Sequence, residues 1–363
     1  MSAAAVRIQL MGMHMEQGKY LPRVSKYSQA LALAELLLAL CAAAEDDSVA
    51  AMRHADYAFL ASTSRSARHA AVLFDQCLGN TAAGCLAPLS QSVRSATFEA
   101  APKWSSESTC SVFSRNVPRL CVVDADYLGK LVQSKQPFVV KDWQGEAWAA
   151  RERWFWLAYF HAVAGHHLVP VSKFESRQGD MKKQATVLLS VSEFLENYMA
   201  PNCAQCANDQ SSLDLGHVGC LNEHDLLEQC PKLQADVPSS GKWRTVLGLP
   251  ERTTVWLGTH DATTDLQCRS QEICITQVQG VRDVVVFPPT ATHSLCAASQ
   301  VRHTNVHNIF DAEGIKFLKS CPESFQESAQ TVEMKAGDVL LVPCGWWYQA
   351  RARGPACSVT NWF

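Results

Sequence analysis

The order of hydrophobic and polar positions divides the chain into two regions of different character. Residues 29–40 form a run that is apolar nearly all round at helical spacing, which predicts a helix buried against other helices. Residues 48–61 and 65–78 follow with amphipathic helical patterns. The pattern therefore predicts a helical N-terminal region over residues 1–100.

The C-terminal part of the chain carries a different pattern. Short β-branched or apolar runs, several of them bounded by Gly or Pro, recur there, which is typical of the strands of a sandwich or barrel. These runs cover residues 253–257, 273–278, 283–287, 339–342 and 358–362. We predict a β domain over residues 117–363 and a linker over the Ser-rich residues 101–116.

Composition and charge narrow the classes of function. The chain has 363 residues, of which 47% are hydrophobic and 18% charged, so it is long enough to bury a full core. A formal net charge of -3 argues against a general nucleic-acid binder. The apolar run that begins at residue 29 is too short, and too interrupted by charge at Glu35 and Glu45, to span a bilayer. We therefore expect neither a nucleic acid nor a membrane as partner.

Cysteine usage indicates the compartment. The fifteen cysteines are an odd number without regular spacing, and no secretory hydrophobic segment opens the chain. Reduced thiols in a reducing compartment are the expectation, so we predict a cytoplasmic protein. Residues 1–26 hold four basic residues against a single acid, Glu16, which is a weak mark of a mitochondrial presequence. Mitochondrial and nuclear locations therefore stay open.

One group of cysteine and histidine residues has the spacing of a metal site. Cys203 and Cys206 form a Cys-x2-Cys pair, and His217 and Cys220 form a His-x2-Cys pair after ten intervening residues. Four such ligands can close a tetrahedral structural zinc site, which would staple a loop and leave no open position for catalysis. In a chain so rich in cysteine, the alternative of four unconnected residues stays open.

Several motifs of the second half occur in the order of a known family. Residues 136–143 read Gln-Pro-Phe-Val-Val-Lys-Asp-Trp, and residues 337–348 read Gly-Asp-Val-Leu-Leu-Val-Pro-Cys-Gly-Trp-Trp-Tyr. Residues 220–236 contain Cys-Leu-Asn-Glu-His, then Pro-Lys-Leu and an Asp, where the family has Tyr-Leu-Ala-Gln-His, Pro-Glu-Leu and Asp. In these motifs the chain resembles the JmjC (jumonji-C) hydroxylases, which use iron(II) and 2-oxoglutarate. It is most similar to their small arginyl-hydroxylase branch, jumonji domain-containing protein five.

The resemblance covers residues 117–363 and implies a fold class. The expected architecture is α+β, with the helical N-terminal region followed by a double-stranded β-helix. This is the jelly-roll or cupin barrel of the JmjC proteins, with flanking helices.

The resemblance also implies where a metal would be held. The family binds iron(II) through a His-x-Asp/Glu pair and a distant His, which leaves positions open for 2-oxoglutarate and oxygen. Registering the chain on its Val-Trp-Leu-Gly and Gln-Val-Gln-Gly motifs puts Gln267 and Arg269 at the first two ligand positions, and the motif at residues 337–348 puts Tyr348 at the third. An amide oxygen is a weak donor, and a guanidinium has no lone pair to give. We therefore predict that the chain uses neither cofactor.

The positions that the family uses for 2-oxoglutarate are changed in the same register. Arg282 stands where the family has a lysine that binds the distal carboxylate, and Cys220 stands where it has a tyrosine. Ile273 replaces an asparagine and Thr264 replaces a serine. Scaffold positions such as Trp256 are retained. This combination indicates a fold that is kept and a chemistry that is lost.

Three functions are consistent with the sequence. The first is a catalytically inactive JmjC-fold protein, a pseudo-hydroxylase that acts as a structural or protein-binding subunit of a larger assembly. The alternatives are a divergent iron(II)- and 2-oxoglutarate-dependent protein hydroxylase and a binder of a small anionic ligand.

The register makes a structural prediction. Gln267, Arg269 and Tyr348 should converge on one cavity inside the barrel, with Arg282 on an adjoining strand. We expect Arg269 to fill the vacated position and to be held by a nearby acid or by Gln267 and Tyr348, because a buried, unpaired guanidinium is strongly unfavourable.

Overall fold

The chain folds into a group of N-terminal helices and a β domain. The computed structural model describes residues 26–62, 64–83, 89–99, 115–121, 124–141, 148–177, 180–203, 218–237, 241–295 and 308–363. Three helices open this part of the chain: α1 (Lys26–Ala44), α2 (Ser48–Ala61) and α3 (Arg65–Ala83). Within the described ranges, no helix is long and apolar enough to cross a membrane.

The N-terminal helices pack through alanine-rich faces. The Asp47 side chain caps α2 by accepting a hydrogen bond from the backbone N–H of Ala50 at 3.0 Å. Phe59 of α2 is buried in the same cluster as neighbouring alanines and Val72 of α3. Helix α1 is buried against other helices as predicted, but on one face only, since Leu33 on its other face is 60% exposed. The reason is that α2 and α3 pack on the buried face of α1.

Short helices flank the β domain. They are α4 (Gln91–Ser95), α5 (Ala125–Gln133), α6 (Ala149–Arg153), α7 (Leu157–Ala164), α8 (Val191–Phe194), α9 (Leu226–Gln229), α10 (Pro231–Gln234), α11 (Gly241–Leu247), α12 (Thr292–Leu295), α13 (Ala312–Ser320) and α14 (Glu323–Ser328). A π-helical turn (Leu195–Met199) and a 3-10 turn (Ala200–Asn202) continue α8, and a second 3-10 turn (Pro289–Ala291) precedes α12.

The strands form two sheets. They are β1 (Arg115–Asn116), β2 (Arg119–Leu120), β3 (Phe138–Val140), β4 (Leu168–Arg177), β5 (Asp180–Ser190), β6 (Val218–His224), β7 (Arg252–Gly258), β8 (Gln267–Cys268), β9 (Ile273–Gln279), β10 (Arg282–Phe287), β11 (Gln330–Met334), β12 (Val339–Val342), β13 (Trp347–Ala352) and β14 (Ala356–Trp362). One sheet has the order β2-β3-β12-β9-β14-β7-β6-β4-β5, and the other has the order β1-β11-β10-β13-β8.

The two sheets share a core. Ile275 of β9 and Leu340 of β12 are buried in one cluster with Val284 of β10 and Ala350 of β13. Strands β12, β9, β14 and β7 of the first sheet pair antiparallel with one another, as do β11, β10, β13 and β8 of the second. Two facing four-stranded antiparallel sheets make a double-stranded β-helix. The predicted α+β fold class, helices followed by this barrel, is confirmed.

Two predicted boundaries differ from the structure. The last two residues of the predicted linker, Arg115–Asn116, form β1, which pairs in parallel with β11. Val93, Ala96 and Phe98, predicted as part of the helical region, are buried in the main core cluster of the β domain. Such a short segment carries too few apolar positions to reveal which core it joins. Residues 100–114, most of the predicted linker, lie outside the described residues.

Candidate functional site

The structure brings together the three positions that the family register gives to metal ligands. Strand β8 pairs antiparallel with β13, and Gln267 lies directly opposite Tyr348. Side chains directly opposite one another in an antiparallel pair project from the same face of the sheet. Arg269 comes two residues after Gln267, and its backbone carbonyl accepts a hydrogen bond from the N–H of Gly345 at 2.9 Å. All three residues therefore meet beside the β8–β13 pair.

A fourth side chain, Glu223, reaches this point from the end of β6 on the other sheet. Its Oε1 accepts hydrogen bonds from Nε2 of Gln267 at 2.6 Å and from the hydroxyl of Tyr348 at 2.9 Å. Its Oε2 accepts one from Nη2 of Arg269 at 3.2 Å. Nε2 of Gln267 also lies 2.7 Å from the Tyr348 hydroxyl, and the amide oxygen accepts from Arg269. We call these four residues the Glu223 cluster.

Within the Glu223 cluster the positive and negative charges balance, and the side chains are hydrogen-bonded to one another. Burial raises the pKa of the Tyr348 phenol well above its usual range, and the adjacent Glu223 carboxylate raises it further. Tyr348 is therefore a neutral phenol and a hydrogen-bond donor at neutral pH. The guanidinium of Arg269 forms the ion pair with Glu223. Each of the four side chains is thus hydrogen-bonded to at least one other member of the cluster.

These side chains do not fit an iron(II) ion. The oxygen of Gln267 is a neutral donor that already accepts a hydrogen bond from Arg269, and the oxygen of Tyr348 keeps its proton. Arg269 is a cation without a lone pair, and Glu223 supplies a carboxylate that already accepts three hydrogen bonds. Across the ranges that the structure describes, no group of three or more His, Cys, Asp or Glu side chains is placed to hold a metal ion.

The side chain of Arg269 lies closer to the surface than predicted. The expected acid beside it is Glu223, and Gln267 is its second partner. The expected burial is wrong, since the side chain is 41% exposed and its guanidinium lies over the ring of Trp362 at 5.3 Å. Arg269 follows β8 at the edge of its sheet, so part of its side chain stays in contact with solvent.

The buried cation is Arg282 on β10, the strand that pairs with β13. Its Nη1 donates to Oγ of Ser358 at 2.7 Å, and its guanidinium stacks on Trp256 at 4.0 Å from the ring centroid. Among the described residues, its Nε has no hydrogen-bond partner. Burial lowers the pKa of Arg282 to about 10. The group therefore stays charged at neutral pH, and its burial is unfavourable by about 3 kcal/mol.

The other positions predicted from the 2-oxoglutarate site are built into the barrel wall. Cys220 of β6 is buried in a cluster with Trp256. The hydroxyl of Thr264 accepts a hydrogen bond from the backbone N–H of Ala350 at 2.9 Å, so it is engaged with β13. Ile273 at the start of β9 is 1% exposed in the core between the two sheets. Their equivalence to the family's ligand positions remains a prediction.

The predicted zinc site lies largely outside the described residues. Cys206 and His217 are beyond the described ranges. The thiol of Cys203 donates to the backbone carbonyl of Met199 at 3.3 Å, and Cys220 belongs to a different buried cluster. The zinc site stays a prediction.

Sequence reasoning missed Glu223. Its signal was present, because an acid stands inside the 220–224 motif where the family has a glutamine. The direction of the Glu223 side chain could not be predicted from the sequence, because Glu223 has a φ of +48° and the register between β6 and β7 shifts beside it. Such a bulge changes the direction of a side chain, and the hydrophobic pattern of the sequence does not reveal it.

Comparisons with known proteins place the chain in a family. The sequence model of the cupin-like domain matches residues 125–363. The chain is 24% identical over 259 residues to lysine-specific demethylase 8 of Danio rerio, and the aligned region covers 69% of this chain and 59% of that protein. It is 26% identical over 224 residues to lysine-specific demethylase JMJ30 of Arabidopsis thaliana, covering 60% and 47%. It is 22% identical over 264 residues to Jumonji C domain-containing protein 5 of Drosophila melanogaster, covering 70% and 60%.

The matches agree with the sheet topology. The chain spans about half to three fifths of the length of these relatives. The cupin-like match runs from α5 to the last residue of the barrel and covers well over half of the chain. The predicted resemblance is confirmed. The chain belongs to the cupin-like domain family and is similar, within it, to the JmjC-domain proteins.

Proposed function

We propose that this chain is a non-catalytic JmjC-fold protein, a pseudo-hydroxylase that serves as a structural or protein-binding subunit of a larger assembly. The Glu223 cluster carries the proposal. The positions of the metal ligands in the family register hold an amide, a guanidinium and a neutral phenol, all hydrogen-bonded to one carboxylate. Two matched relatives are named lysine-specific demethylases, and this donor set separates the chain from such an activity.

Electrostatics supports the same proposal. A divalent cation beside Gln267 and Tyr348 would have to displace Arg269 from Glu223, because the carboxylate is already paired with that guanidinium. Solvent screens this charge in part, because the Arg269 side chain is 41% exposed, whereas a buried like charge repels a cation more strongly. Arg282, which stays charged at neutral pH, adds to the positive potential inside the barrel.

The test is a metal titration and a turnover assay on the full chain. Purified protein, freed of metal, is titrated anaerobically with iron(II) and with manganese(II) in a calorimeter. Succinate formation from 2-oxoglutarate is then followed against a heat-denatured control. We expect no stoichiometric binding of either ion and no succinate above the control. Stoichiometric metal together with succinate would establish the divergent hydroxylase instead.

A second candidate function is the binding of a small anion, and Arg282 favours it. A buried guanidinium with one side-chain hydrogen bond and an unpaired Nε is a strong recognition group for a carboxylate or a phosphate. The test is thermal unfolding in millimolar succinate, 2-oxoglutarate or phosphate. Binding should raise the melting temperature of the native chain and leave that of Arg282→Met unchanged. Equal shifts for both proteins would place the anion elsewhere.

The proposed partner is a protein, and the proposed location is the cytoplasm. The formal net charge of -3 gives no general attraction to nucleic acid. The test is affinity purification of the tagged full chain with mass spectrometry, before and after nuclease treatment, from separated cell fractions. The same protein partners should be recovered from the cytoplasmic fraction in both cases. Loss of all partners after nuclease digestion would contradict a direct protein contact.

A further inference from the structure

Three consecutive residues at the end of β6 face two different parts of the molecule. Glu223 enters the Glu223 cluster, whereas His224 and Asp225 contact the N-terminal helices. The ring of His224 packs edge-on against Phe59 of α2, with 6.4 Å between the ring centroids. We call residues 223–225 the β6 corner. These three consecutive residues therefore connect the candidate site to helices α2 and α3.

The backbone of the β6 corner is strained. Glu223 has a φ of +48°, in the left-handed region that residues with a side chain rarely adopt. Within the barrel, Arg252 of β7 donates from Nη2 to the Glu223 carbonyl at 3.0 Å and from Nε to Asp225. A strained residue persists where its surroundings over-determine it. The contacts of the corner therefore decide whether Glu223 stays in this conformation.

Arg68 of α3 holds the corner from the helical side. Its Nη2 donates to Oδ2 of Asp225 at 2.9 Å, and its Nη1 pairs with Glu228 at 3.0 Å. The same guanidinium lies over the ring of Phe59, at 4.1 Å from the centroid. The carboxylate of Asp225 is almost fully buried, so the pair is shielded from solvent.

Asp56 of α2 holds the corner through a relay. It accepts a hydrogen bond from Nε2 of Gln229 at 2.6 Å, and Oε1 of Gln229 lies 2.7 Å from Nε2 of His224. Asp56 also accepts from the backbone N–H of Leu168 at 2.9 Å and lies 2.9 Å from Nδ1 of His167. The residue is 4% exposed. A buried carboxylate with these partners fixes α2 against β4 and the β6 corner together.

We propose that Asp56 and Arg68 are positioning residues through which the docked helices α2 and α3 keep Glu223 inside the barrel. The inference rests on the proposed function, because it explains what keeps the Glu223 cluster closed. Undocking of the helices removes Phe59 from His224 and Arg68 from Asp225, so that Arg252 alone no longer keeps the corner in its strained conformation. Glu223 then leaves Gln267 and Tyr348. The helical region thereby controls the conformation of the Glu223 cluster.

The test is hydrogen exchange followed by mass spectrometry on the full chain. The variants are Asp56→Asn and Arg68→Ala, and the matched control is Asp47→Ala, which removes the cap of α2 without touching the corner. In both positioning variants, the peptides of β8 and β13 should exchange about tenfold faster than in the native protein. In the control, faster exchange should stay within α2. In a Glu223→Gln background, Asp56→Asn should no longer change exchange in β8 and β13, because the link is already cut.

The outcomes separate the two proposals. Native exchange in β8 and β13 of both positioning variants, alongside faster exchange in α2 and the β6 corner, would overturn the positioning role. That role would be overturned equally if Asp47→Ala sped exchange in β8 and β13 as much as Asp56→Asn does. Should Asp56→Asn fail to fold, Arg68→Ala alone decides. Binding of iron(II) by the native chain would remove the proposed function and leave the exchange result unaffected.

Discussion

Replacing Glu223 by glutamine tests the centre of the candidate site. The two side chains have the same shape, so the change removes the charge and turns one acceptor oxygen into a donor. In the native chain the carboxylate accepts hydrogen bonds from Gln267, Tyr348 and Arg269. An amide in its place cannot accept from all three, and its NH₂ group meets other donors. At least one buried donor then loses its partner.

The expected magnitude follows from the burial of each contact. Hydrogen bonds to a charged group contribute about 1.5–3 kcal/mol each, and an unsatisfied buried donor costs about as much. The hydroxyl of Tyr348 belongs to a side chain that is 2% exposed, so its bond counts fully. Arg269 is 41% exposed, which limits its ion pair to below about 1 kcal/mol. We expect Glu223→Gln to lower the free energy of unfolding by about 2–4 kcal/mol.

The assay is urea unfolding followed by tryptophan fluorescence and circular dichroism. The matched control is Glu251→Gln, the same chemical change at an exposed residue that accepts a hydrogen bond from Gln271 at 2.8 Å. The control should alter the free energy of unfolding by less than about 0.5 kcal/mol. A Glu223→Gln protein as stable as that control would refute the view that Glu223 is the anchor of the cluster.

Three further predictions concern the same group of residues and Arg282 beside it. Arg282→Met should leave the melting temperature unchanged or raise it, because it removes a buried charge whose pKa is lowered to about 10; a clear loss of stability would mean that Trp256 and the hydrogen bond outweigh burial. The combined variant Gln267→His, Arg269→Asp, Tyr348→His should bind manganese(II) by calorimetry, and a folded variant without affinity would show that the register is wrong. Because the pKa of Tyr348 is raised, the native state keeps a proton that the unfolded chain loses above about pH 10. Stability should therefore fall as pH rises beyond that value, and urea midpoints from pH 8 to 11 should show a smaller fall in Tyr348→Phe.

The sequence was informative where strand periodicity controls the geometry. Gln267 and Arg269 are two residues apart, so the alternation of a strand places both on one face. Tyr348 is far from both along the chain, but the register of β8 on β13 pairs it with Gln267. The order of apolar runs likewise predicted the strands of the barrel, because a sheet buried between layers needs them. These features depend on local pattern and on pairing that the family motifs fix.

Other features depend on contacts that no local pattern records. Glu223 is 44 residues from Gln267 and 125 from Tyr348, and its aim depends on a positive φ. The exposure of Arg269 depends on where the edge of its sheet meets solvent. Arg282 was assigned to the 2-oxoglutarate position, but its hydrogen bond to Ser358 and its unpartnered Nε could be found only from the structure, within the residues it describes. The joining of helix and barrel through Asp56 required tertiary packing as well.

Charge orders the ligands that the barrel can accept. Glu223 and Arg269 neutralise one another as an ion pair, whereas Arg282 keeps its charge and is desolvated. Within the described part of the barrel, these three groups therefore sum to a positive charge. A divalent cation would add to that charge and a neutral ligand would leave it, but an anion would offset the unfavourable burial of Arg282. The charges that argue against iron(II) thus support the second proposed function, the binding of a small anion.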